Sequence, residues 1–393
     1  MPAHTYDAIV VGAGYIGCAV AGALSATGLH TVLLDRGPIP GGASRANYGN
    51  VQVQDAELAH SLPMVTAGYR RFADLEDELG CSIGYRRVGS LLLIETEAQW
   101  RLMAARIPML RAAGIRAEMV SAERLVELEP MLDWRAVLGA CYHPDEGQVS
   151  PFAFMAAYLR RGRQAGLSIH PQTAVTGFDI RNGRMRGILT RDGQFGSDTV
   201  ILTSGAWTPS LGRLIGRDWS IPHVHGQALV TERSDLRLRN HLSSAAFFES
   251  MHDEPANAPA GAVVPAGAVL AVSQTADGHF LLGEAGVITD DLGTYSTAAG
   301  QAAIAREVTR FLPSLARLRV LRGWAAPVAF TAAGRPFLGP VDGLPGLILA
   351  TAFKSTVIVA PLIGSTVAQL VCEGRTDLDL TPFSPSREIG HHG

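Results

Sequence analysis

Lysine is almost missing from this chain: among 33 basic residues in 393 positions, Lys354 is the only lysine. With 36 acidic residues the formal charge is −3, so no basic footprint is expected, which argues against a nucleic-acid partner. Cysteine is scarce as well. Cys18, Cys81, Cys141 and Cys372 lie far apart with no Cys-x-x-Cys spacing, so there is no zinc or iron–sulfur signature. That usage fits reduced thiols, and a cytoplasmic location is expected. Long apolar runs are lacking too. The N-terminal one starts after Asp7 and is broken by glycines at fixed spacing, so it reads as fold and not as a signal peptide or transmembrane segment.

What is present begins with size. A chain of 393 residues with 47% hydrophobic composition exceeds one compact core, so two domains are expected. "YDAIVVGAGYIGCAVAGALSATGLHTVLLDRG" reads as strand, glycine turn, small-residue helix and second strand, a βαβ unit. Helical periodicity follows in 56–80 and 97–114, with "YRRVGSLLLIE" as a strand between them. Residues 150–166 read as a helix and 167–207 as a β-meander with N-G and D-G turns. Residues 221–285 alternate as strands around an Ala/Pro-rich stretch, 252–269, read as a mobile surface insertion. A helix over 297–315 and a final strand-then-helix complete the chain. The expected class is α+β, a Rossmann-like domain built from 1–80, 145–220 and 322–393, and a mostly antiparallel-sheet domain from 81–144 and 221–321.

Gly12, Gly14 and Gly17 form GxGxxG between strand and helix. Their missing side chains permit a tight turn, close approach of backbone to a pyrophosphate, and close helix–strand contact. The helix N-terminus, at Tyr15 and Ile16, supplies free N–H groups and positive dipole. Asp35 ends the second strand, where a carboxylate can accept from ribose hydroxyls, with Arg36 beside it. A dinucleotide site is expected. No second glycine fingerprint follows, so electrons are expected from an organic substrate and not from a nicotinamide.

Across nearly its whole length the chain resembles the FAD-dependent amine and amino-acid oxidoreductases, which include glycine oxidase, sarcosine oxidase and D-amino-acid dehydrogenases. "GASRANYGN" resembles the family loop that passes the pyrophosphate and the flavin ring. The resemblance implies Ser44 and Arg45 at the phosphates, and Asn47, Tyr48, Gly49 and Asn50 near the ring. "DEGQVSPFAF" resembles the family's acidic-Gly-x-x-x-Pro helix start, and "TAVTGF" the strand whose Val175 backbone meets adenine. "VILTSGAW" resembles the strand end beside the pyrophosphate, implying roles for Ser204, Gly205 and Trp207. Non-covalent FAD is implied, because no cysteine lies in the Trp324 segment.

Departures narrow the likeness. Where glycine oxidases place a carboxylate-binding arginine, four residues after the tryptophan, this chain has Val328. The run before "APxxG" is "AFKSTVI", with Phe353, Lys354, Ser355 and Thr356 placed at the flavin, and Ile358 stands where sarcosine oxidases hold a lysine. "FKSTVI" and "RANYGNVQVQ" resemble the FAD-bearing subunits of heteromeric opine, hydroxyproline and proline dehydrogenases. That implies a hetero-oligomer with a second flavoprotein and a small iron–sulfur subunit, and FMN at a subunit interface.

The implied reaction is oxidation of a secondary-amine amino acid, with hydride leaving the carbon beside nitrogen for flavin N5. Lys354 is a candidate to stabilise reduced flavin, or to contact a second cofactor; a solvated lysine is the plain alternative. His225 is a candidate for the substrate carboxylate, although a satisfied core histidine fits its strand equally. Tyr85, Gln52 and Gln274 lie on segments that can face the pocket. Two other functions stay open: a self-sufficient oxidase that forms peroxide, and an FAD-holding relay with no substrate chemistry.

Overall fold

The computed structural model describes residues 4–54, 56–248 and 268–388. The Ala/Pro-rich insertion expected over 252–269 therefore lies, except for its last two residues, outside the described residues.

One sheet runs in the order Ser168–His170, Thr31–Leu34, Ala8–Val11, Val200–Leu202, Leu347–Thr351, Phe337–Pro340. All neighbours are parallel except the last pair. Ala8–Val11, Thr31–Leu34 and Leu347–Thr351 are buried at every position, as expected of strands covered on both faces. The small residues of the helix Tyr15–Ala26 serve contact. A Cβ on Gly22 would lie 3.0 Å from Tyr158 O, and one on Gly364 2.8 Å from Ala19 O. The helices Pro151–Gln164 and Thr356–Glu373 thus close on it at backbone range. Thr356–Glu373 is, among the described residues, the one helix long and apolar enough to cross a membrane, and more than half of it is buried inside the fold.

The second large sheet has eight strands, in the order Val320–Ala329, His223–Arg233, His279–Ile288, Ala268–Gln274, His241–Ser244, Ser90–Ile94, Gly139–His143, Glu118–Ser121. All its pairs are antiparallel except His241–Ser244 with Ser90–Ile94. The helix Ala298–Phe311 covers one face, burying Ile304, Val308 and Phe311. Thr96, Ser150 and Thr297 each accept a first-turn N–H of the helix they precede, contacts worth about 0.5–2 kcal/mol apiece. The architecture is α+β: a Rossmann-like unit and a mostly antiparallel sheet.

Two segments differ from the sequence reading. "YRRVGSLLLIE" is two strands, Arg86–Arg87 and Ser90–Ile94. Gly89, at φ +70, breaks it, where a Cβ would meet Asn240 Oδ1 at 2.7 Å. The first piece leaves the large sheet and joins Gly147–Gln148 and Asn50–Val51 in a small three-stranded one. Residues 56–80 also split, into Leu62–Arg71 and Leu75–Leu79.

Candidate active site

The strand Ala8–Val11 ends at Gly12, whose φ of +109 and whose hypothetical Cβ, 2.7 Å from Thr203 O, admit glycine alone. A Cβ on Gly14 would meet Ser44 Oγ at 2.6 Å. Ser44 accepts the Tyr15 N–H at 2.9 Å, so the helix entry is capped from the loop 29 residues on. Gly17 serves packing: a Cβ there would stand 1.7 Å from Gly12 O. Asp35 accepts the N–H of Ala13 (2.8 Å) and of Gly37 (2.7 Å), tying strand end to glycine turn. Burial raises its pKa, and these two N–H groups oppose the rise.

A cavity of about 1920 Å³ follows this turn. Gly12, Gly14, Tyr15, Ile16, Asp35 and Arg36 line its first part. Ser44, Arg45, Asn47 and Tyr48 follow from the loop, which is a short helix, Gly42–Ala46, for half its length. Val175, Ser204, Gly205 and Trp207 form another wall, and Phe353 and Thr356 a third, at the entry of the last long helix. Gly17, Gly49 and Ser355 stand outside the lining. Gly49 serves the backbone instead, since a Cβ would lie 2.1 Å from Val149 O.

These residues fit an extended dinucleotide. Two helix N-termini meet one elongated cavity, and the Arg36 guanidinium lies 4.9 Å over the Trp207 ring. Among the described residues, Trp207 Nε1 and Tyr48 Oη are buried with no partner, on residues that line the cavity, as groups awaiting a ligand would be. None of the four cysteines lines it, which leaves no thiol there for a flavin thioether.

The five residues nominated for catalysis are placed elsewhere. Lys354 directs Nζ over the rings of Phe247 (5.6 Å) and Phe248 (6.0 Å) and is not on the cavity wall. His225 pairs with Pro327, whereas the cavity-facing Val230 pairs with Arg322. His225 itself is not part of the lining, although its register partner Pro327 is; its ring lies 5.4 Å from the Tyr295 ring, with Nε2 buried and unpartnered among the described residues. Tyr85 packs against Phe72, at 5.4 Å. Gln52 accepts from Gln54 Nε2 at 3.3 Å. Gln274 spends its amide on backbone: Oε1 accepts Leu238 N–H, and Nε2 donates to Leu236 O and Gly278 O.

Polar residues that were not nominated also line the cavity, among them Arg86, Gln148, Arg191, Asp192, Asp277 and Arg322. Arg86 was one position from the nominated Tyr85; the break at Gly89 that sets its strand's face carries no periodicity signal. Trp324 also lines the cavity, and its Nε1 donates to Ala46 O at 3.0 Å, pinning the loop to the sheet.

Residues 7–370 match the family model described as FAD dependent oxidoreductase. The chain is 27% identical to glycine oxidase of Geobacillus kaustophilus, over 99% of both chains. It is 26% identical to hydrogen cyanide synthase subunit HcnC of Pseudomonas aeruginosa, over 98% of this chain and 96% of that one. Among solved structures, glycine oxidase from Geobacillus kaustophilus superposes with a TM-score of 0.85 at 26% identity, covering 98% of this chain and all of that one. L-Proline dehydrogenase from P. horikoshii gives 0.85 at 21% identity, over 98% of both chains, a likeness of fold. With a family match across most of its length and a cradle that suits the cofactor, the chain belongs to the FAD-dependent oxidoreductases, and FAD is its cofactor.

Proposed function

We propose that this flavoenzyme oxidises the C–N bond of a secondary-amine amino acid of the opine, D-hydroxyproline or proline type. It does so as the catalytic subunit of a heteromeric dehydrogenase in the cytoplasm. The observation that carries the dehydrogenase reading is the position of the single lysine. Lys354 lies over Phe247 and Phe248, away from the cavity wall, so among the described residues no lysine ammonium faces the cavity to favour reduction of oxygen there. Val328, exposed on the edge strand, leaves the glycine-oxidase arginine position without charge. The similarity to a chain named as a synthase subunit supports work beside partners, here a second flavoprotein and a small iron–sulfur protein.

When bound, FAD supplies the hydride acceptor. The chain's own part is to hold the amino acid with its α-carbon facing the loop Asn47–Tyr48, and to keep water out with the sheet that carries Val230, Leu281 and Trp324. In this reading residues 1–80, 145–220 and 322–393 form the FAD-binding domain, and 81–144 with 221–321 the substrate domain.

The similarity to glycine oxidase favours a second reading, a self-sufficient oxidase that forms peroxide. Anaerobic titration of the purified holoprotein with opines, D- and L-hydroxyproline, proline, sarcosine and glycine separates the two. Bleaching of the flavin by an imino acid or opine, with slow return of colour in air, is expected. Fast reoxidation with stoichiometric peroxide would establish the oxidase instead.

A further inference from the structure

The small three-stranded sheet aligns Asn50, Gln148 and Arg86 in one cross-strand row. Residues in register share a face, and the side chains here touch: Arg86 Nη2 donates to Gln148 Oε1 at 2.5 Å. Gln148, itself buried, donates through Nε2 to Tyr48 O at 3.0 Å, so the row is tied to the flavin loop. The other bond of Arg86 also comes from Nη2, to Gln274 O at 2.9 Å. Both acceptors are neutral. Nε and Nη1 have no acceptor, and no carboxylate lies within ion-pair distance, among the described residues.

A half-buried guanidinium without a counter-ion is unusual, because desolvation of a charge is normally offset by pairing. Burial here pushes the Arg86 pKa down, the mark of a cation short of an anion. The other arginines of the cavity differ. Arg36 is spent on Trp207, Arg45 sits on the short helix beside the glycine turn, Arg191 is exposed, and Arg322 is exposed on the edge strand. Arg86 alone combines partial burial, a fixed Nη2, and Nε and Nη1 donors without an acceptor, each able to give a charge-assisted bond to a carboxylate.

We infer that Arg86, oriented by Gln148, anchors the carboxylate of the substrate. The inference rests on the amino-acid reading above and assigns its acid group to a strand distant from Val328. The ligand class is then an amino acid that presents one carboxylate to Arg86 and extends its amine toward Tyr48.

The test uses the holoprotein and 2-furoate, a planar carboxylate with no oxidisable amine, followed through the flavin absorbance spectrum. Wild type is expected to give a saturable perturbation, and Arg86→Gln to raise the Kd by about 30- to 1000-fold, with flavin content unchanged. Arg86→Lys, which keeps charge and loses the planar guanidinium with its Nε–H, should fall between. Equal Kd values in wild type and Arg86→Gln overturn the anchor, as does the absence of any saturable change in wild type. Should Arg86→Gln shed its flavin, Arg86→Lys decides, and a wild-type Kd there overturns the guanidinium contact. Bleaching by amines is scored separately. If only primary amines bleach the flavin while Arg86→Gln still weakens 2-furoate, the secondary-amine reading falls and the anchor stands.

Discussion

Glu146 offers a prediction whose size follows from counting donors. Its side chain is buried at 2% exposure. Oε1 accepts the N–H groups of Val53 (2.5 Å) and Gln54 (3.0 Å), and Oε2 accepts the Ser90 hydroxyl (2.5 Å). One carboxylate thus joins the run that leaves the flavin loop to the strand Ser90–Ile94 of the large sheet. Glu146→Ala strips three buried donors at once. At about 1–3 kcal/mol for each group left unsatisfied, and with water regaining part of it in the space created, a loss of roughly 3–6 kcal/mol is expected. Against a total stability of about 5–15 kcal/mol this is severe. Glu146→Gln keeps volume and one carbonyl for the two N–H groups, and its amide can donate to a reoriented Ser90 hydroxyl. It should cost about 1–2 kcal/mol, chiefly the charge-assisted share of the bonds. Urea unfolding of the flavin-free chain, read by tryptophan fluorescence, gives both values. A second readout is retention of FAD, which should fall in Glu146→Ala at urea concentrations where secondary structure persists. If the two variants unfold within about 1 kcal/mol of each other, the donor count is the wrong basis and the residue acts through volume alone.

Two further outcomes follow from the same geometry. Gly12→Ala must strain a φ of +109 and bring a methyl within 2.7 Å of Thr203 O, so affinity for FAD should drop by about tenfold or more, checked by flavin titration of the apoprotein. Burial holds His143 and His241 down at about 4, below the ordinary histidine value. The unfolded chain takes up these protons first as pH falls, so stability is complete above about 6.5 and declines toward 4, by on the order of 3 kcal/mol per histidine at the acid end. Urea midpoints measured from pH 7 to 4.5 should show the decline, and a His143→Gln, His241→Gln double variant should flatten it; an equal slope in both would refute the assignment.

Much of the cofactor site was legible because backbone demands leave marks in sequence. A turn that admits no Cβ needs glycine, and Gly12, Gly14 and Gly17 announce it at fixed spacing. The substrate side was not, because side-chain direction there depends on events that periodicity does not encode. One turn at Gly89 exchanges Tyr85 for Arg86 as the residue at the cavity. On the long strand His223–Arg233, Val230 reaches the cavity wall and His225 does not, although Pro327, its register partner, does. Gln274, polar and on a plausible strand, was consumed by a neighbouring loop. Glu146 was visible as the acid of an acidic-Gly motif, yet its three bonded donors come from segments 53–54 and 90, which only the tertiary structure brings to it.

The strand Val200–Leu202 lies between Ala8–Val11 and Leu347–Thr351. This order governs the protein's birth. While the ribosome is still making residues near 340, the sheet beneath the glycine turn lacks a member and Thr356–Glu373 has not arrived to cover the helix Tyr15–Ala26. At ordinary elongation speed the first strand waits on the order of tens of seconds for its last neighbour. Phe353 and Thr356 are the last residues to join the cavity wall, so a nascent chain cut short before them lacks that wall of the cradle.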